Sequence, residues 1–129
     1  MILDSSAILA ILLGEPDGDS LLDRLQTSSL GLGVGAPTLL ETATVLTSRR
    51  GWGALIELVE FLQNLSVVVV SFGESHWLEA LEAHRKFGKG RHPAALNFGD
   101  CLAYAVAKVA REPLLFVGND FPQTDLDIA

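Results

Sequence analysis

The chain has 129 residues, 49% of them hydrophobic and 19% charged, which is enough for a real core and predicts one domain over residues 1–129. A net charge of −7 excludes loose attraction of the whole surface to nucleic acid but leaves room for a local site. The single cysteine, Cys101, excludes an intrachain disulfide and reads as a small buried helix residue.

The opening "MILDSSAILAILLGEP" is apolar, yet it is too short to span a bilayer. It also carries Asp4 and lacks both a basic n-region and a small-residue cleavage site, so a cytoplasmic protein without membrane contact is expected. "MIL" predicts a short strand ending at Asp4, and "SSAILAILL" a helix closed by Gly14 and Pro16. A second helix is expected over about residues 19 to 28, with Leu21, Leu22 and Leu25 on one face. "LGLGV" then reads as a buried strand, and residues 38 to 49 as a helix carrying Leu39, Leu40, Ala43, Leu46 and Thr47 at helical spacing before Gly51.

"ALIELVEFLQNL" predicts another amphipathic helix, and the four valines of "SVVVVSF" predict an interior strand. The next helix, "ESHWLEALEAHRKFG", is expected to turn Trp77, Leu78 and Leu81 inward and Glu79 and Glu82 outward. A basic stretch follows, then a helix from about residue 99 to 111, the strand "PLLFVG" and a turn at "NDF". Strands alternating with helices in this way predict an α/β fold, with a short central parallel sheet flanked by helices on both faces.

Four acids fall at the junctions of this pattern. Asp4 follows the first strand, Glu41 lies early in the helix after the second, Asp100 opens the penultimate helix region and Asp120 follows the last strand. Loops leaving the carboxyl ends of parallel strands share one edge, where ligands bind, so the four carboxylates are able to meet there. Each also has a local explanation. Asp4 suits an N-cap, Thr38 and Glu41 a capping box, Asn97 and Asp100 a cap with an acid at the third helical position, and Asn119 with Asp120 a turn. Caps do not need apolar flanks such as "ILDSSAIL", which threaten to bury charge uncompensated. Two unit charges about 4 Å apart interact by roughly 4 kcal/mol at an effective dielectric near 20, so four acids together call for a cation. Hard oxygen donors without Cys or a His pair favour one or two Mg²⁺ ions, with Mn²⁺ as substitute, which suits phosphoryl chemistry.

Read as wholes, "ILDSSAILAILLGEP", "APTLLETATVL", "GKGRHPAALNFGDCLAYAVAK" and "PLLFVGNDFPQTDL" resemble the PIN-domain nucleases, and within them the VapC-type toxins of type II toxin–antitoxin systems. The resemblance spans essentially the whole chain. It implies a PIN-domain-like fold and places the catalytic, metal-holding acids at Asp4, Glu41, Asp100 and Asp120, with Ser6, Asn119, Thr124 and Asp125 as supporting residues. It further implies a Mg²⁺- or Mn²⁺-dependent endoribonuclease cleaving structured RNA such as transfer or ribosomal RNA, neutralised by a cognate VapB-type antitoxin. Homodimers within larger toxin–antitoxin assemblies belong to the same implication.

Arg85, Lys86, Lys89 and Arg91, clustered in "HRKFGKGRHP", are the candidate RNA-binding residues; alone they would read as a solvated loop. Leu9, Leu12, Leu13 and Leu22 offer either a groove for an amphipathic antitoxin segment or ordinary core. His76, His84 and His92 are not expected to be catalytic. Two rivals stand beside the nuclease. A haloacid-dehalogenase-like phosphatase would need an Asp where this chain has Ser6, and a non-catalytic PIN scaffold binding RNA or protein would not need all four acids.

Overall fold

Strand β1, Ile2–Leu3, ends at Asp4, whose carboxylate accepts from the Ser6 N–H at 3.1 Å and so caps helix α1, Ser5–Leu12. The computed structural model, which describes residues 1–129, continues with α2 (Gly18–Thr27), β2 (Gly33–Gly35), α3 (Ala36–Arg50) and α4 (Leu55–Asn64). Then follow β3 (Val68–Val70), α5 (Glu74–Phe87), α6 (Phe98–Ala110) and β4 (Leu114–Leu115). Single 3₁₀ turns occupy Trp52–Ala54 and Phe121–Gln123.

The four strands are all parallel, in the order β3-β2-β1-β4. Ile2 pairs with Gly33 on one side and Leu114 on the other, so β1 is flanked by β2 and β4. The chain steps outward from β1 to β2 to β3 and then returns to β1's opposite side. Such a reversal opens a crevice at the carboxyl end of β1, the position of Asp4.

Alternation along each strand divides the core between the two faces of the sheet. Leu3, Val34 and Leu115 join Ile8, Leu21, Leu25, Leu46, Leu58 and Phe61 on the side covered by α1 to α4. Ile2 and Leu114 join Ala83, Leu96, Tyr104 and Val106 on the side of α5 and α6. Cutting a fully buried member such as Leu3 or Leu115 back to alanine would cost about 2–5 kcal/mol. The expected arrangement of a parallel sheet with helices on both faces is therefore the one observed. Leu9, Leu12 and Leu13 are half-buried and pack against the first cluster.

Three expectations are corrected. The valines do not build an interior strand: β3 is the edge of the sheet, with Val68 63% and Val69 47% exposed. β-branched density reports strand propensity, but position in the sheet is set by the order in which crossovers fill it. Helix α3 begins before Thr38, because Pro37 fits its first turn and Gly35 serves as N-cap. The capping box at Thr38 and Glu41 therefore does not exist, and Thr38 is instead buried with its Oγ1 unpartnered. Finally, Trp77, Leu78 and Leu81 are exposed rather than inward. Helix α5 meets the core through Ala80, Ala83 and Phe87, a narrow stripe of mostly small side chains that lets it lie close against α6.

Candidate active site

Asp4 is 4% exposed, which for a carboxylate requires specific partners. Ser6 supplies two of them: its N–H donates to Asp4 Oδ2, and its hydroxyl donates to the same oxygen at 2.5 Å. The Ser6 hydroxyl in turn accepts from the Val117 N–H at 2.9 Å, tying the start of α1 to the segment after β4. Burial nevertheless dominates, and Asp4 is held above the ordinary carboxylate range, with the charge of Glu41 pushing the same way.

Glu41 and Asp100 come together through Gly99. A β-carbon at Gly99 would overlap the Glu41 carboxylate, so the glycine lets Glu41 lie against the first turn of α6 in the position it holds. Asp100 is fixed by the capping box foreseen from the sequence. Its N–H donates to Asn97 Oδ1 at 2.8 Å, and its Oδ2 accepts from the Asn97 N–H at 3.0 Å. Half-burial raises Asp100 to about 6, the Asn97 N–H opposes the rise, and the charges of Asp4, Asp120 and Glu41 reinforce it. Asp100 thus stands within electrostatic reach of each of the other three acids. Asp120 is the exposed member, preceding the turn at Phe121–Gln123.

No cation of the protein answers this charge. The molecule's ion pairs join the N-terminus to Glu112, Arg50 to Glu57, Arg85 and Lys86 to Glu82, and Lys108 to Asp125, and none includes Asp4, Glu41, Asp100 or Asp120. Partly desolvated oxygen donors of like charge, with no counter-ion, fit a hard divalent cation. As the side chains stand, however, no three carboxylates or imidazoles converge on one point in the manner of a closed coordination shell. Joint ligation would require rotation about their side-chain bonds.

The remaining predicted residues divide by role. Asp125 accepts from the Tyr104 hydroxyl at 2.6 Å and from Lys108 Nζ at 2.8 Å, so it pins the C-terminal segment to α6. Thr124 caps the preceding turn, donating to the Phe121 carbonyl at 2.7 Å. Asn119 is exposed beside Asp120, and its carbonyl accepts from Gln123 Nε2. Arg85 and Lys86 lie in the last turn of α5 and share Glu82, whereas Lys89 and Arg91 in the following loop have no ion pair. His92 Nδ1 accepts from the Ala94 N–H, and His76 Nδ1 from the Gly73 N–H, both of them structural bonds. Burial, followed by the charge of Asp100, pushes the Cys101 thiol up to about 11, which removes it as a nucleophile. Sequence reasoning missed Gly99, whose only signal was a glycine directly before an acid in a helix start. It also missed the Val117 N–H, a backbone group with no sequence signal at all.

Comparison with known proteins places the chain in a family. The PIN domain family model matches residues 1–126. Ribonuclease VapC36 of Mycobacterium tuberculosis is 42% identical over 127 residues, covering 98% of this chain and 91% of the relative. A ribonuclease VapC of Mycolicibacterium smegmatis is 42% identical over 126 residues, covering 98% and 97%. Among solved structures, Mycobacterium tuberculosis VapC20, described as a sarcin-ricin loop cleaving toxin, superposes with a TM-score of 0.81 over 99% of this chain and 97% of its own, at 17% identity. VapBC2 from Rickettsia felis, bound to a promoter DNA fragment, gives 0.74 over 98% and 94%, at 15% identity. The chain belongs to the PIN-domain family and, within it, to the VapC ribonucleases.

Proposed function

We propose that this chain is the toxin of a type II toxin–antitoxin pair, a Mg²⁺- or Mn²⁺-dependent endoribonuclease that cleaves structured RNA of the transfer or ribosomal class. The observation that carries the reading is the absence of any protein cation beside these acids, although the charges of Asp4, Asp120 and Glu41 all bear on the half-buried Asp100. Asp4, Glu41, Asp100 and Asp120 would hold one or two ions. Bound there, the ions would supply Lewis acidity, making an attacking water more acidic and stabilising charge on the leaving oxygen.

The chain's own contribution is positioning. Ser6 orients Asp4 and anchors it to Val117, Asn97 fixes the direction of Asp100, and Gly99 leaves the space that Glu41 occupies. Lys89 and Arg91, free of internal ion pairs, contact RNA phosphates; Arg85 and Lys86 contribute only after loosening from Glu82. In-line displacement at phosphorus in such a site leaves a 5′-phosphate and a 3′-hydroxyl and requires no histidine. Neutralisation by a VapB-type antitoxin, homodimer formation and a cytoplasmic setting are proposed on the strength of the VapC relatives and of solved toxin–antitoxin complexes of the same fold. No helix is long and apolar enough to cross a membrane.

The test is cleavage of end-labelled transfer and ribosomal RNA with Mg²⁺, with Mn²⁺, with EDTA and with Asp100→Asn. Metal-dependent cutting that Asp100→Asn abolishes, with RNA binding kept, supports the proposal. Cutting that persists in EDTA contradicts the metal assignment, and no cutting under any condition favours a scaffold.

A further inference from the structure

Beside the acidic edge lies an open cleft of about 680 Å³, within the roughly 300–1,000 Å³ usual for ligand sites. Two helical stripes form its walls. Trp77, Leu81 and His84, at i, i+4 and i+7 on α5, face Phe98, Cys101 and Leu102, at i, i+3 and i+4 on α6. The aromatic rings are costly to leave in water: Trp77 is 51% exposed and Phe98 81%. Asn97, which lines the cleft, donates its N–H to Asp100 Oδ2 at 3.0 Å, so the cleft borders the acidic edge.

The charge of the cleft differs from that of the molecule. Although the chain carries 16 acidic and 9 basic residues, no carboxylate lines the cleft, and its polar groups are His84, Lys89 and Asn97. Lys89 and the nearby Arg91 have no internal partner. Exposed aromatic faces beside unpaired cations match the recognition of single-stranded nucleic acid, where bases stack and phosphates are neutralised.

We propose that this cleft receives an unpaired base of the RNA, stacked on Phe98 and Trp77, with the flanking phosphates on Lys89 and Arg91. This rests on the ribonuclease reading and adds to it a substrate requirement: an unstacked nucleotide next to the cut. Apolar walls read no particular base edge, so the preference is for single-strandedness more than for sequence.

The chain has two tryptophans, Trp52 and Trp77, and Trp52 lies in the 3₁₀ turn before α4, outside the cleft. A Trp52→Phe protein thus reports on Trp77 alone. In EDTA, which blocks metal-dependent cutting, it is titrated with a fluorescein-labelled single-stranded decaribonucleotide of mixed sequence and with the same strand fully paired. Expected are quenching of Trp77 by the single strand, little by the duplex, and a loss of affinity of about tenfold or more in Phe98→Ala that Phe98→Tyr restores. Anisotropy of the label measures binding independently of quenching. Bound single strand without quenching, equal quenching by duplex, or unchanged affinity in Phe98→Ala would overturn the proposal. So would Phe98→Ala or Trp77→Ala converting a dimer to a monomer on sedimentation, since the cleft would then hold a second copy. Cleavage with Mg²⁺ but no quenching refutes the cleft alone; quenching without cleavage under any metal refutes the nuclease reading and leaves the cleft standing.

Discussion

Asp100→Asn removes one negative charge from the acidic edge while sparing the bond that orients the side chain, because an amide oxygen can still accept from the Asn97 N–H. Folding raises Asp100 from 3.8 to about 6, chiefly by burying it and then by exposing it to Asp4, Asp120 and Glu41. At face value that corresponds to about 3 kcal/mol against the ionised form. Asp100 is only half-buried, and solvent screening brings the figure to about 1–1.5 kcal/mol. Loss of an acid from a helix N-terminus takes back about 0.3–1 kcal/mol, leaving a net gain of up to about 1 kcal/mol and a rise in Tm of up to about 4 °C. An acid whose folded value is raised stabilises fully below its unfolded value of 3.8 and loses that contribution as pH climbs through about 6. The variant should therefore gain on wild type at pH 7.5 in EDTA, and the two should coincide near pH 4. Added Mg²⁺ should stabilise wild type more than the variant, reversing their order. Thermal and urea unfolding at both pH values measure this. A variant less stable than wild type at pH 7.5, or a difference that does not change with pH, would refute the electrostatic reasoning.

Ser6→Ala removes the hydroxyl shared by Asp4 and the Val117 N–H, and should cost about 1–3 kcal/mol in urea unfolding and slow RNA cleavage. Gly99→Ala favours the helix by up to about 1 kcal/mol yet pushes Glu41 aside, so Tm should hold or rise while cleavage falls at least about tenfold. Asp125→Ala frees Tyr104 and Lys108 and should destabilise by about 1–2 kcal/mol, with cleavage per folded molecule unchanged, since Asp125 braces the C-terminal segment. Neutralising Lys89 and Arg91 together should weaken RNA binding and flatten its dependence on salt, as read from affinity against log salt.

What could be read in the sequence was what neighbours in the chain decide. Asp4 as a cap, the box at Asn97 and Asp100, and the alternation of strands and helices all depend on contacts a few residues long, and they stand in the structure. What escaped depends on distant partners. The valines of β3 look the same whether the strand is central or at an edge, and only the crossover order places them. Pro37 moved the start of α3 ahead of Thr38, and the small stripe of Ala80 and Ala83 outweighed Trp77, Leu78 and Leu81 in choosing the inward face of α5. Asp125 matched a motif, but its role comes from Tyr104 and Lys108, a helix away. Topology led to the expectation of acids at one edge, and the charges of Asp4, Asp120 and Glu41 do reach Asp100, but no three carboxylates converge on one point. The close approach of Glu41 to Gly99 and the serine bridged to a backbone N–H were not foreseen from the sequence.

The measurement that reaches the central claim most directly is anomalous scattering from crystals soaked in Mn²⁺. Density within bonding distance of Asp4, Glu41, Asp100 or Asp120, with those carboxylates turned toward it and the signal absent in Asp100→Asn, is the predicted result. Carboxylates left unchanged at saturating Mn²⁺, or manganese bound only elsewhere on the acidic surface, would contradict the account.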